Sequence, residues 1–282
     1  MLTDVASDPV ARAMWHIEVE LFGDLSLENV AEAAGVSRFY LSRAFGSATG
    51  RSVMRYVRGR RLSEAARALS AGAPDILELA LNSGYGSHEA FTRAFSDQFG
   101  ITPQAFRTTG RLETLSLVEP IRRDPIVALT TQTPRITAGE PLLLAGMADR
   151  FDFETVQRIP LLWQRFGPHI GSVPGQIGYT TYGVMDDGDD DGFDYAAAVE
   201  VESVDRLPPE LKSIRIQAQT YAVFTHAGHI SNLRTTMNVL WSGWLPASKL
   251  TMVRAPYFER YDERFDPQSG NGEIEIWIPI LR

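Results

Sequence analysis

The sequence predicts a multi-domain protein: an all-α N-terminal domain with two helix-turn-helix motifs, then an α+β domain built from two strand-helix-strand-strand repeats. Three observations predict it. Slid against itself, the chain matches within its first hundred residues at an offset near fifty, and beyond residue 140 it matches at an offset of 78. Between the two repeats, residues 108–139 hold prolines and threonines without a sustained period, as a linker would. The boundaries are therefore 1–107, 108–139 and 140–282, and a length of 282 residues is itself more than one typical core needs.

The first repeat pairs Leu41 with Phe91, Arg43 with Arg93, Ala44 with Ala94, Phe45 with Phe95 and Gly50 with Gly100. Upstream the offset is forty-nine, pairing Ala31 with Ala80 and Gly35 with Gly84, so one residue is inserted in the second turn. Each copy reads as a short apolar helix, a glycine where the chain reverses, and a second helix opened by a serine. In copy one Leu27, Val30, Ala31 and Ala34 form the stripe, Gly35 the turn and Ser37 the cap. In copy two Asp75 and Glu78 suggest a capping box, Gly84 turns, Ser87 caps, and Phe91, Phe95 and Phe99 point inward. Thr102-Pro103 opens a short final helix. Ser52 to Ser70, free of proline, reads as one helix separating the copies.

Composition narrows the function classes. The chain has no cysteine, which excludes disulfides, thiolate metal sites and cysteine nucleophiles. No apolar run reaches the length of a membrane span and the first residues lack a signal-peptide pattern, so a cytoplasmic protein without membrane contact is expected. A net charge of −8 argues against nucleic acid on average, but the average conceals a patch. Between Arg38 and Arg67 lie eight arginines and one acid, Glu64, a local excess of +7 that is either a phosphate-facing surface or a solvated helix face.

The strings GVSRFYLSRAF and GYGSHEAFTRAFSDQFGITPQAFR, residues 35–45 and 84–107, closely resemble the AraC/XylS family of transcription regulators. The resemblance implies DNA recognition by helices Ser37 to Ala48 and Ser87 to Phe99. The family's base-facing and phosphate-facing positions fall on Arg38, Phe39, Ser42 and Arg43, opened by Ser37, and on His88, Glu89, Thr92 and Arg93, opened by Ser87. Arginine can take guanine through two bonds and glutamate can accept from cytosine, so the residue types suit a major groove. For Arg43 and Arg93 a salt bridge shared by both motifs is the competing reading.

In the C-terminal half, strands are expected over 142–148, 177–185, 195–202, 214–225, 257–264 and 273–280, with helices over 159–166 and 233–244. The offset of 78 pairs Leu162-Trp163 with Leu240-Trp241, Phe166 with Trp244 and Tyr179 with Tyr257. A sheet with both helices on one face either buries these aromatics or opens a cleft that they line. Glu259 corresponds to Thr181, so a carboxylate stands in one half only, and Tyr257, Glu259 and Tyr261 alternate onto one face. An acid between aromatic rings suits a cationic or polar-headed aromatic ligand; the alternative is an edge carboxylate paired with Arg260 or Arg264.

The segments QTYAVFTHAGHISNLRTTMNVLWSGWLP, FERYDERFDP and EIEIWIPI resemble the gyrase-inhibitor-like effector-binding domain over roughly 140–282. That resemblance implies a small-molecule cleft centred on Glu259, with Tyr257, Tyr261, Trp163, Phe166, Tyr179, Trp241 and Trp244 as its candidate walls. Taken together, the two resemblances imply a regulator rather than an enzyme, with double-stranded DNA, a small effector and RNA polymerase as partners and no cofactor. Hydrolysis of electrophilic small molecules by Glu259 and a neighbouring tyrosine is the alternative. Asp187, Asp189 and Asp191 begin like a calcium loop but find Ala198 at the twelfth position, and His226 and His229 lack a third ligand nearby, so no metal site is expected.

Overall fold

The helical half is set by its caps and turns. The computed structural model describes residues 8–72, 75–121, 133–152, 155–186, 188, 192–248 and 250–281. Helices α1 (Pro9–Val19), α2 (Leu27–Ala33) and α3 (Arg38–Thr49) form the first unit. After α4 (Val53–Ser70) the pattern recurs as α5 (Ile76–Asn82) and α6 (His88–Phe99), followed by α7 (Pro103–Thr109). Ser37 Oγ accepts the Tyr40 amide at 3.1 Å and Ser87 Oγ the Ala90 amide at 3.2 Å, the same cap in both copies. Gly35 and Gly84 turn at φ of 70° and 82°, which an L side chain resists. Asp75 caps α5 by accepting from Leu77 and Glu78 amides, while the reciprocal capping box forms at Ser26 and Asn29.

Helix α4 belongs to two cores at once. Val53, Tyr56 and Val57 pack with Ile17, Leu41 and Phe45, whereas Leu62, Ala66 and Leu69 pack with Phe91, Phe95 and Phe106. Its 18 residues make a rod of about 27 Å between the motifs. Part of the arginine patch is structural and not free for phosphate. Arg60, 4% exposed, pairs with Glu18 and Glu64 at 2.9 Å each and donates to the Val118 carbonyl. Arg61 caps the Leu21 and Gly23 carbonyls, and Arg67 pairs with Glu64 and Glu119. The neutralising acids Glu18 and Glu119 come from outside the Arg38–Arg67 window, so a local charge count misses them.

The second half is one antiparallel sheet. In chain order it comprises β1 (Arg135–Gly139), β2 (Leu142–Phe151), α8 (Ile159–Phe166), β3 (Gln176–Met185), β4 (Phe193–Val201), β5 (Lys212–Ile216) and β6 (Gln219–His229). There follow α9 (Leu233–Val239), a π-helical turn over Leu240–Trp244, α10 (Leu245–Ser248), β7 (Thr251–Met252), β8 (Tyr257–Tyr261), β9 (Phe265–Asp266) and β10 (Asn271–Leu281). The strand order is β1-β6-β10-β8-β3-β4-β2-β5, with β7 and β9 paired to β10. β1, inside the stretch read as linker, is an edge strand on β6. The single strand expected over 214–225 is two strands, because β5 pairs with β2 and β6 with β10, far apart in the strand order. Ile126 to Leu129, a short apolar run that reads as one strand within the linker, and the acids Asp187, Asp189 and Asp191 lie outside the described residues.

Only two residues join β5 to β6, three Cα steps or at most about 11 Å. The sheet must therefore curl until its two ends nearly meet. Leu144, Tyr182, Val184, Ile216, Tyr221 and Phe258 fill the inside of the curl, and α8 and α9 cover the other face. At the centre β3 pairs with β8, with Tyr182 opposite Arg260, two residues that are also 78 apart. The pseudo-twofold relating the halves passes between them. Among the described residues no helix is long and apolar enough to cross a membrane.

Candidate functional site

On the helix-bearing face, over the β3–β8 seam, lies a cavity of about 910 Å³, within the size range of sites for drug-like ligands. Glu259, Tyr195, Tyr257 and Tyr261 form its floor, and Trp163 and Trp241 stand on the helical walls. Glu259 is 7% exposed and accepts hydrogen bonds on one oxygen from the Tyr261 hydroxyl at 2.7 Å and the Tyr195 hydroxyl at 3.1 Å. Trp163 Nε1 in turn donates to the Tyr195 oxygen at 2.9 Å. Burial pushes the Glu259 carboxyl up to about 7, against the pull of both tyrosine donors. Burial and the adjacent carboxylate drive Tyr195 and Tyr261 well above their ordinary range, so both stay protonated and keep donating. Arg260 and Arg264 turn away to Asp262, Glu273 and Glu275. Glu259 is thus not the edge carboxylate of the alternative reading.

The last wall of the cavity is α3. Phe39, Ser42, Arg43, Gly46 and Ser47 all line it. The Arg43 guanidinium lies 4.2 Å from the Tyr257 ring centre and 4.4 Å from that of Phe39, and donates to the Asp186 carbonyl at 3.2 Å. Tyr40 donates its hydroxyl to the Trp241 carbonyl, and Arg55 pairs with Asp152 at 3.2 Å. Burial pushes the Tyr257 hydroxyl up to about 12 even though Arg43 favours its ionised form.

Residues 30–109 match a helix-turn-helix domain family, and residues 132–281, more than half of the chain, match the GyrI-like small molecule binding domain. The chain belongs to the GyrI-like family. It is 28% identical to the transcriptional regulator Rob of Salmonella typhimurium, over 94% of this chain and 96% of that protein. The right origin-binding protein of Escherichia coli is similar at 28% over the same shares. The multiple antibiotic resistance protein MarA of Salmonella typhimurium matches at 39% over 33% of this chain and 73% of its own length. The AraC-type helical unit followed by a GyrI-like unit is the architecture the sequence predicts.

Within the GyrI-like domain the predicted residues divide. Glu259, Tyr257, Tyr261, Trp163 and Trp241 meet around the cavity, and Tyr179, 79% exposed, stands at its edge. Phe166 and Trp244 do not line it: Phe166 is fully buried beneath α8, and Trp244 packs edge-on to Phe224 at 4.7 Å. Helical period places both on an inward face, but an inward face packs under the helix as readily as it opens to a cavity. Tyr195 and Gly183 were missed. Gly183 pairs with Glu259, and a Cβ there would lie 2.2 Å from the Tyr195 oxygen and 2.7 Å from Glu259 Oε2. A glycine within a strand was the available signal for that close approach.

The helical candidates divide as well, although the two copies share one register. Arg93, His88 and Glu89 on α6 are exposed and Ser87 and Thr92 half-buried. On α3, Ser37 and Arg38 are exposed and Phe39 half-buried, but Ser42 and Arg43 are each 7% exposed. A groove-reading face would carry Ser42 and Arg43 in the open, but here the GyrI-like domain covers both. The two arginines stand in different surroundings: Arg43 meets ring faces and a carbonyl, whereas Arg93 is exposed.

Proposed function

We propose that the chain controls transcription by reading DNA with α3 and α6 and binding a cationic, partly aromatic small molecule over Glu259. One observation carries the ligand class: a carboxyl buried at the centre of an aromatic cavity, held by tyrosine hydroxyls while the adjacent arginines pair elsewhere. A cation entering there draws on the carboxylate and the ring faces together. The duplicated, identically capped α3 and α6 on a shared α4 support the DNA reading, with Arg38, Phe39, Ser42 and Arg43, and His88, Glu89, Thr92 and Arg93, as the reading residues. Rob and MarA, by their names a transcriptional regulator and an antibiotic resistance protein, are consistent with it. RNA polymerase is the further partner that promoter control implies.

Calorimetry with tetraphenylphosphonium as probe tests the ligand class: binding is expected, weakened at least tenfold by Glu259→Gln and weakened again as pH falls below about 7. No binding at pH 8, or binding indifferent to Glu259, refutes it. DNA selected from a random duplex pool tests the other half. Arg93→Ala should weaken its binding and reduce the salt slope by about one. The geometry of a near-neutral carboxyl beside tyrosine donors also suits acid–base hydrolysis. Product formed from an electrophilic ester and lost in Glu259→Gln would favour that second reading.

A further inference from the structure

We infer that the chain inhibits itself: α3 is held in the effector cleft, Arg43 acts as a tethered cationic occupant, and first-motif DNA reading requires that helix to leave. This rests on the proposed DNA and ligand roles and adds how they are coupled. Three observations converge. Phe39, Arg43 and Ser47 on α3, aligned with the exposed Glu89, Arg93 and Asp97 on α6, line the cavity. Arg43 takes the Tyr257 ring face that a cationic ligand would use, and its guanidinium also lies against the Phe39 ring. Independent contacts outside the cavity floor, Tyr40 to the Trp241 carbonyl and Arg55 to Asp152, hold the same docked pose.

The equivalent Arg93 serves as an internal control, since it has the same register and helix type but remains exposed. Burial of Arg43 is therefore a product of docking and not of the helix-turn-helix unit itself. A helix seated in the cleft cannot seat in a groove, so the docked fraction scales down the apparent DNA affinity. A cation that binds the Tyr257 face evicts Arg43 and raises that affinity, and by linkage DNA tightens the cation's binding by the same factor.

The test uses the full chain, which has no cysteine, with a lone reporter thiol introduced as Ser42→Cys. In the free protein that thiol should react slowly. Tyr40→Phe, or Met237→Lys, which sets a like charge in the cavity Arg43 enters, should speed it. In parallel, with Ser42 intact, either variant should raise affinity for the selected duplex roughly fivefold, the weight of about one ordinary hydrogen bond. Bound tetraphenylphosphonium should do the same in the wild type and little in the variants, and Arg43→Ala should tighten the probe several-fold by removing its competitor. A thiol fully reactive in the free Ser42→Cys chain overturns the inference, as does a released thiol without gain in DNA affinity, or bound probe that leaves that affinity unchanged or lower. If no duplex is retained by any form while the thiol behaves as expected, the DNA reading itself fails instead.

Discussion

A carboxyl group at 7% exposure that titrates near neutrality leaves a mark on stability as well as on binding. Glu259 is pushed up to about 7 in the folded chain, above its unfolded value, so the folded state holds its proton longer. Its contribution is complete below about pH 4.5 and is lost as pH rises through about 7. Glu259→Gln should therefore raise stability at pH 8 by roughly 2–3 kcal/mol and hardly change it at pH 4.5, checked by urea unfolding at both values. Gly183→Ala probes the same spot sterically. The added methyl meets the Tyr195 oxygen and Glu259 at impossible distances, so a loss of about 1–3 kcal/mol is expected together with weaker probe binding in calorimetry. An unchanged urea midpoint would show that Tyr195 can move aside freely. Tyr257, Glu259 and Tyr261 were legible in the sequence because alternation assigns a strand face. Tyr195 was not, because it reaches Glu259 only through β4 pairing with β3 and β3 with β8.

Among the elements, α4 is the one on which both motifs depend. Arg60 sits at its midpoint between the two cores and ties Glu18 on α1, Glu64 on α4 itself and the Val118 carbonyl. Arg60→Met leaves two acids that are 26% and 31% exposed, so the roughly 3–5 kcal/mol cost of breaking a buried pair is discounted to about 2 kcal/mol. A lower urea midpoint for the helical unit, followed by far-UV circular dichroism, is the expected outcome, and no change would mean the acids find water at no cost. Helices α2 to α7 were read nearly to their ends because capping, glycine turns and the period of α-helix are local properties, whereas α1 was not read. Strand β1 and the break between β5 and β6 were not, since Arg135–Gly139 has no pattern of its own and is a strand only because β6 offers it an edge.

For the molecule as a whole, the chain order of domains and their kinds were legible, while their embrace was not. Nothing in the sequence of α3 distinguishes a face built for a groove from one resting in a cavity, because arginine and phenylalanine serve in both places. That ambiguity is itself physical: a guanidinium stacks on Tyr257 for the same reasons of planarity and charge that bring it to a base edge. The pseudo-twofold through Tyr182 and Arg260 has a further consequence. Duplication left the cavity lopsided, with an acid at Glu259 and a hydroxyl at its counterpart Thr181, and both line the same space. A guest with a single positive pole is thus given a direction as well as a berth, its charge toward one repeat and its hydrocarbon toward the other. Thr181→Glu would restore the balance, and the altered chain should come to prefer guests with two positive poles over guests with one.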